Sequence, residues 1–432
     1  MSALAVGYVS LALIGLLIYS GMHVAVALAV VSLLGVWAIT GHFWLGMTYV
    51  MQAASDSIAE YTFGVVPLFV LMGLAFSESG FGRDMFAGVS QLTRRLPAGL
   101  GVGTVIANAL FATVTGVSIA SAAVFSRVAI PEMVRSGYNQ RLALGIVVGS
   151  SVLGMLIPPS LLMILFAILT DTSIGALFAG GVGPGLLLTL AYCVYLVGLG
   201  YLRPELLNEK ARELRIAERK GNALLIIPSL LLAACVLGGI YGGIFTPTEA
   251  GAVGALAALL LALAARRMGL ASIWRISVQT GHITAAVCFL IIGATVYSGM
   301  LSLSGVPTSI VEFATSSGVG PVGFLFLFSA VVIVLGTILD SGSTILVSAP
   351  LGYPVALHLG IDPIHFGLVT IFGAEVGLLT PPFGLTAFVV QATMKDEGVK
   401  LNDVWRGSFP FLLVMIVILA LIILFPQIVL FL

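Results

Sequence analysis

Charge is what this chain has least of. Charged residues make up 8% of it, where a soluble domain carries roughly 25%. Mean hydropathy is +1.17, so no window of appreciable length reads as a soluble domain. Cysteine is scarce as well: Cys193, Cys235 and Cys288 all sit in apolar runs without metal-ligand spacing, and they are expected to be buried free thiols. The five histidines (23, 42, 282, 358 and 365) form no metal-like cluster. No basic residue precedes Arg83, which argues against the charged start of a cleavable signal peptide; the first apolar run is expected to be a span that stays. The expected surroundings are a lipid bilayer, with nothing that suits nucleic acid.

What the chain has instead is apolar runs of spanning length. They fall near 2–18, 24–40, 63–77, 140–170, 177–200, 223–241, 249–265, 280–302, 366–394 and 408–430. Two further regions, 97–134 and 321–355, are apolar arms flanking a short polar cluster. Each arm of the first is roughly 17 residues, about 25 Å of helix, which predicts a re-entrant hairpin with its tip deep in the hydrocarbon. The expected fold is therefore an all-α polytopic membrane protein of about ten spans plus two hairpins.

Charge placement sets the expected orientation. With the N-terminus outside and each hairpin returning to its own side, all 18 Lys and Arg fall on or near one face. Asp56, Glu60, Asp171, Glu249, Glu312 and Asp362 fall on the other. That is the positive-inside partition. It does not separate a hairpin from two full spans, because both preserve sidedness; the polar tips carry that distinction.

The halves repeat at a fixed offset. Pro97-Ala-Gly-Leu returns as Pro321-Val-Gly-Phe, Ser79-Gly80 as Ser304-Gly305, and Pro158 as Pro381. Residues 1–202 form the first repeat and 223–432 the second, joined by a charged segment, 203–222, expected to be a cytoplasmic helix. Five spans per half is an odd number, so the second copy is expected upside down, the inverted repeat of many secondary transporters.

Four interruptions carry the chemistry. Two are the tips, Thr115-Gly116-Val117-Ser118-Ile119-Ala120-Ser121 and Leu339-Asp340-Ser341-Gly342-Ser343-Thr344. Two are Pro-Pro breaks, Leu156-Ile157-Pro158-Pro159-Ser160 and Leu379-Thr380-Pro381-Pro382. Proline inside a helix removes a backbone bond; in a bilayer that is tolerated where the freed groups face protein, water or ligand. Hairpin tips expose unpaired carbonyls and N–H groups. Carbonyl ends suit a cation and N–H ends an anion. Hard oxygens without a dense carboxylate cage fit Na⁺ better than a divalent ion. Two Na⁺ sites follow. One pairs Gly116 and Ser118 with Leu156, Pro158 and Ser160; the other pairs Asp340 and Gly342 with Leu379, Thr380 and Pro381. Thr115, Ser118, Ser121, Ser341, Ser343 and Thr344 are the candidate contacts for an anionic substrate between the tips. Small residues of this kind also serve simply to let helices pack closely.

Intramembrane charges are functional candidates by default. Asp340 either stabilises a cation or caps the arm that follows it. Glu375, one turn before the second break, either supports that cation site or pairs with a neighbouring helix. Arg127 either snorkels or contacts substrate, and Glu249 reads as a helix start after Pro247. Two enzyme-like signatures, Asp340-Ser341-Gly342 and Gly116-Val117-Ser118, lack a second carboxylate and a buried general base respectively. A hydrolase or a non-transporting scaffold is the alternative from another class.

These residues also resemble a known family. Thr115–Ser121, Ile130-Pro-Glu-Met-Val-Arg-Ser-Gly-Tyr138, Leu156–Ser160, Phe178-Ala-Gly-Gly-Val-Gly-Pro-Gly185, Gly243-Ile-Phe-Thr-Pro-Thr-Glu-Ala250, the Leu339-Asp-Ser tip and Gly377-Leu-Leu-Thr-Pro-Pro-Phe-Gly384 are similar to the large membrane subunit of tripartite ATP-independent periplasmic (TRAP) transporters. The resemblance implies Na⁺-driven uptake of a small organic acid across a bacterial inner membrane. It also implies a periplasmic substrate-binding protein, a separate four-span small subunit, and an elevator whose moving part is roughly 97–200 and 321–430. A stand-alone anion transporter of related fold is the runner-up. The first tip departs from the family's Ser-Gly-Ser-x-x-Ala-Thr in having Val117 where a hydroxyl is usual, and Gly21-Met22-His23 replaces the usual Gly-x-Pro.

Overall fold

The computed structural model describes residues 2–207, 223–382 and 384–430. Among these there are helices and short 3₁₀ turns and no strands. The first half runs α1 (Ala3–Tyr19), α2 (Val24–Thr40), α3 (Phe43–Ala59), α4 (Val65–Glu78), α5 (Phe81–Thr93), α6 (Gly99–Thr115), α7 (Ser118–Arg135), α8 (Gln140–Ser151), α9 (Leu153–Leu156), α10 (Leu161–Thr170) and α11 (Ile174–Leu202). The second runs α12 (Ile227–Tyr241), α13 (Pro247–Ala264), α14 (Leu270–Ser304), α15 (Val306–Ser316), α16 (Pro321–Gly336), α17 (Ser341–His358), α18 (Pro363–Leu379), α19 (Leu385–Thr393) and α20 (Leu401–Leu424). Most of the segment expected to link the halves, 208–222, lies outside the described residues.

The second series retraces the first. α12, α13, α15, α16, α17, α18 and α19 begin 222 to 225 residues after α1, α2, α5, α6, α7, α8 and α10. Gly80 and Gly305 mark the same junction with the same backbone, at φ +74 and +76°. That left-handed turn is one glycine enters without steric cost. The copies differ where α3 and α4 are separated by a turn at Glu60–Gly64, whereas their counterpart α14 is one helix of 35 residues.

Among the described residues seven helical segments are long and apolar enough to cross a membrane, Gln140–Thr170 and Leu270–Ser304 among them, and α1, α2, α6, α16 and α18 are shorter apolar helices. Each expected span has a helix at its place. Three elements were not anticipated. The helix α3 carries Gln52, Ser55, Asp56 and Ser57 near its end, which interrupt the apolar run that marks a span. α5 and α15 are short amphipathic connections. α14 starts at Leu270 rather than 280 because Arg275 and Gln279 interrupt hydropathy without interrupting the helix.

Burial sorts the helices into wall and centre. On α11, Leu186, Leu190 and Val194 are exposed at four-residue spacing, while Gly185, Leu188, Tyr192 and Leu196 are buried. One stripe of the helix meets protein and the opposite one lipid. Cys235 falls on such an outer stripe of α12 with exposed Leu231, while Leu232 and Val236 on the inner stripe are buried. The expectation of three buried thiols is corrected there: Cys235 is exposed, and Cys193 and Cys288 are half-buried. The centre is formed by the helices that end at the Pro-Pro breaks. Every residue from Leu142 to Ser160 is buried, as is every residue from His365 to Leu379.

Candidate functional site

Each break is shaped by its first proline. A residue preceding proline is driven out of the helical region, and Ile157 and Thr380 are both extended, at ψ 130 and 133°. Both Pro-Pro bonds are cis. After the first break the chain re-enters helix at Ser160, whose hydroxyl accepts from Met163 N–H at 3.4 Å and donates to the Met155 carbonyl at 2.5 Å. After the second, Thr380 donates to the Val376 carbonyl at 2.7 Å, and Gly384 leads into α19.

The first tip is a two-residue turn. Gly116 closes α6 in the left-handed region (φ +64°) and Val117 is extended before α7. The tip sits directly on the first break: the Gly116 carbonyl accepts from Leu161 N–H at 3.3 Å. A Cβ on Gly116 would lie 2.7 Å from the Pro159 carbonyl oxygen, and one on Gly154 2.9 Å from that of Val117. A small cleft lined by Phe69, Val70, Thr115, Gly116, Val117 and Pro159 opens beside it.

The second tip spans Thr337–Asp340 between α16 and α17. Asp340 adopts the capping geometry, accepting from Ser343 N–H at 3.0 Å and from the Ser343 hydroxyl. Thr344 donates to the Asp340 carbonyl at 2.9 Å. The arm before this tip meets α18 where Gly336 and Gly377 face each other; a Cβ on Gly377 would lie 2.7 Å from Gly336 Cα. The arms after the tips cross over: α17 packs on α10, which follows the first break, and α7 packs on α19, which follows the second.

At the centre the tips meet on one side chain. Ser118 Oγ donates to Glu375 Oε2 at 3.0 Å, and Ser341 Oγ donates to Glu375 Oε1 at 2.7 Å. Glu375 and Ser118 are fully buried and Ser341 is 3% exposed. Among the described residues no Lys, Arg or His pairs with this carboxylate. Its electrostatic support comes from two helix N-termini, since Ser118 and Ser341 are the first residues of α7 and α17.

The other expected contacts are less uniform. Thr115 is buried but bonds back to the Phe111 carbonyl at 2.9 Å. Ser121 is fully buried, and its hydroxyl has no partner among the described residues. Ser343, Thr344 and Gly342 are buried in the first turn of α17, and Leu156, Pro158, Ser160 and Leu379 are buried beside the breaks. Thr380 is half-buried and Pro381 exposed. Arg127 is exposed. Glu249 closes a capping box with Thr246 at the start of α13. Among the described residues no three or more His, Cys, Asp or Glu side chains converge as a metal cage.

The sequence placed Glu375 one turn before the second break, as support for that cation site or as the partner of a neighbouring helix; its reach to both Ser118 and Ser341 is a property of packing. Asn108, fully buried two turns before the first tip, was also missed. Its amide donates to Ser150 Oγ at 2.6 Å, and its own oxygen has no partner among the described residues. An Asn within an apolar helix was the available signal.

This arrangement of hairpins and broken helices matches known proteins over nearly its whole length. The model of the DctM component of tripartite ATP-independent periplasmic transporters covers residues 11–428. The C4-dicarboxylate TRAP transporter large permease protein DctM of Pseudomonas aeruginosa is 36% identical over 86% of this chain and 86% of its own. The sialic acid TRAP transporter large permease protein SiaM of Vibrio cholerae is 31% identical over 95% and 94%. In fold, the solved YdaH transporter of Alcanivorax borkumensis superposes with a TM-score of 0.64 over 88% of this chain and 89% of its own, at 13% identity. A multi-pass membrane protein and not an enzyme, the chain belongs to the DctM family of TRAP transporter large permease subunits.

Proposed function

We propose that this chain carries a small organic acid across the inner membrane by sodium symport, with the acid handed over by a periplasmic substrate-binding protein. The observation that carries this reading is the convergence of two helix N-termini and their serine hydroxyls at a fully buried point between two broken helices. The N–H groups of helix N-termini favour a carboxylate ligand, Ser121, whose hydroxyl is not engaged by Glu375, can donate to it, and the breaks together with the Ser118 and Ser341 lone pairs supply oxygens for a hard monovalent cation. One Na⁺ sits between the first tip and Pro158-Pro159, the other between the second tip and Pro381-Pro382, with the acid between the tips. The C4-dicarboxylate and sialic acid named for the relatives support a carboxylate as the substrate.

A separate four-span small subunit completes the permease. The hairpins, broken helices, α11 and α20 move as an elevator against the remaining helices, and the N-terminus faces the periplasm. Moving one charge through 100 mV is worth about 2.3 kcal/mol. Two Na⁺ with a monoanion gain that energy, whereas with a dianion they are electroneutral and only the Na⁺ gradient drives uptake.

The test is uptake of labelled C4-dicarboxylates and sialic acid into proteoliposomes holding this chain and its small subunit. The expected result is accumulation only with both an inward Na⁺ gradient and the binding protein. Uptake without the binding protein would make it a stand-alone carrier, and equal uptake in K⁺ would overturn the sodium coupling.

A further inference from the structure

We infer that Glu375 is a positioning residue that joins the two hairpin tips into one unit, so that a disturbance at either tip is felt at the other. The bridge itself rests on packing alone; only its consequence for ion binding rests on the transport reading above.

The tips have no other direct polar connection of this kind among the described residues. Ser118 and Ser341 are 223 residues apart, equivalent positions in the two repeats, and each begins the returning arm of its hairpin. Each gives its hydroxyl proton to a different oxygen of the same carboxylate, at 3.0 and 2.7 Å. The carboxylate comes from neither hairpin. It stands on α18, whose residues are buried without interruption from His365 to Leu379, and α18 is braced by the close Gly336–Gly377 crossing. A carboxylate held this rigidly, and hydrogen-bonded through both oxygens, fixes the separation of its two donors.

The bridge also replaces something the first tip lacks. α17 is capped by its own Asp340. α7 begins after Val117, which offers no side-chain oxygen, and no acidic residue lies in its first turn. Negative charge at a helix N-terminus is stabilising, and for α7 the nearby carboxylate is that of Glu375 on another helix. The first tip therefore leans on the second repeat for its cap. Because each serine spends its proton on Glu375, its oxygen lone pairs are left to face a ligand. On the transport reading, filling one ion site orders the other.

Amides at the tips report opening directly, since Ser121 N–H is held by the Val117 carbonyl and Thr344 N–H by that of Asp340. The experiment is hydrogen exchange, read by mass spectrometry, on the full chain in lipid nanodiscs without added Na⁺. Ser118→Ala is expected to speed exchange across 341–344 at the far tip by about tenfold, the effect of losing one hydrogen bond to a charged group. Ser341→Ala should do the same across 116–121. In a Glu375→Ala background neither serine change should have a further cross-tip effect. Glu375→Gln keeps one acceptor and gains one donor, so it retains the bridge and restores the cross-tip effect. Exchange in α13 should be unchanged throughout, which separates a bridge from general loosening. If Glu375→Ala does not fold, the reciprocal pair of serine variants still decides the matter. Effects confined to the mutated tip would overturn the inference. Loss of sodium-dependent uptake in the wild type, with the cross-tip effect intact, would overturn the transport reading and leave the bridge standing.

Discussion

The first repeat seals its break and the second leaves its break open. Ile157 to Ser160 are buried, and Leu161 N–H is bonded to the Gly116 carbonyl of the tip above. Pro381 and Pro382 are exposed, as is Asp340 at the second tip. The helix order and the Pro-Pro motif are shared, so neither explains the difference. The turns do. Gly116–Val117 is a two-residue turn whose left-handed glycine brings a carbonyl down onto the break, while Thr337–Asp340 is twice as long and has no residue of positive φ. A repeated motif thus makes two different mouths, one packed and one accessible. The charge is unequal as well, because Glu375 falls where the first repeat has apolar Val152, again 223 residues earlier.

Substitutions can break this contrast. The largest effect is expected at Gly116. Alanine there would meet the Pro159 backbone and hold a left-handed φ, and the combined cost should be about 2–4 kcal/mol, read as a fall in the unfolding midpoint together with loss of uptake. The corresponding change at the second tip, Thr337→Ala, should leave the midpoint within about 0.5 kcal/mol of wild type. Next is Gly377→Ala, which forces apart the crossing with Gly336; overpacking of this kind costs about 1–3 kcal/mol. Ser160→Ala, at the sealed break, removes a helix cap and should cost about 1 kcal/mol. Thr380→Ala at the open break removes only a bond back to its own helix and should cost less. The last contrast lies at the surface. Arg267 pairs with Asp84 and lies over the Phe81 ring, its Cζ 5.0 Å from the centroid. Arg267→Ala should change stability by about 1 kcal/mol or less and fade with salt.

Much of this was legible in the residues. Prolines and glycines act locally, so both breaks and both tips stood where Pro158, Pro381, Gly116 and Asp340 placed them. The repeat was legible because the same punctuation recurs at one offset. What escaped depends on partners distant in sequence. Glu375 lies 257 residues from Ser118, and no local pattern announces that α18 delivers it to both tips. The outward face of Cys235 depends on which side of α12 the neighbouring helices cover. α3 escaped for a different reason: its polar end hides a helix from a search for apolar length.

The central claim is that both tips work on one carboxylate as a single site. On the proposed transport function, it is tested most directly by uptake under an inward Na⁺ gradient in the Ser118→Ala, Ser341→Ala and doubly substituted proteins, each reconstituted at equal amounts. Residues that act through a shared partner are non-additive. Each single substitution is expected to lower the rate about tenfold, and the double should be no worse than either. Independent losses that multiply to about a hundredfold, or one serine whose removal is silent, would contradict the account.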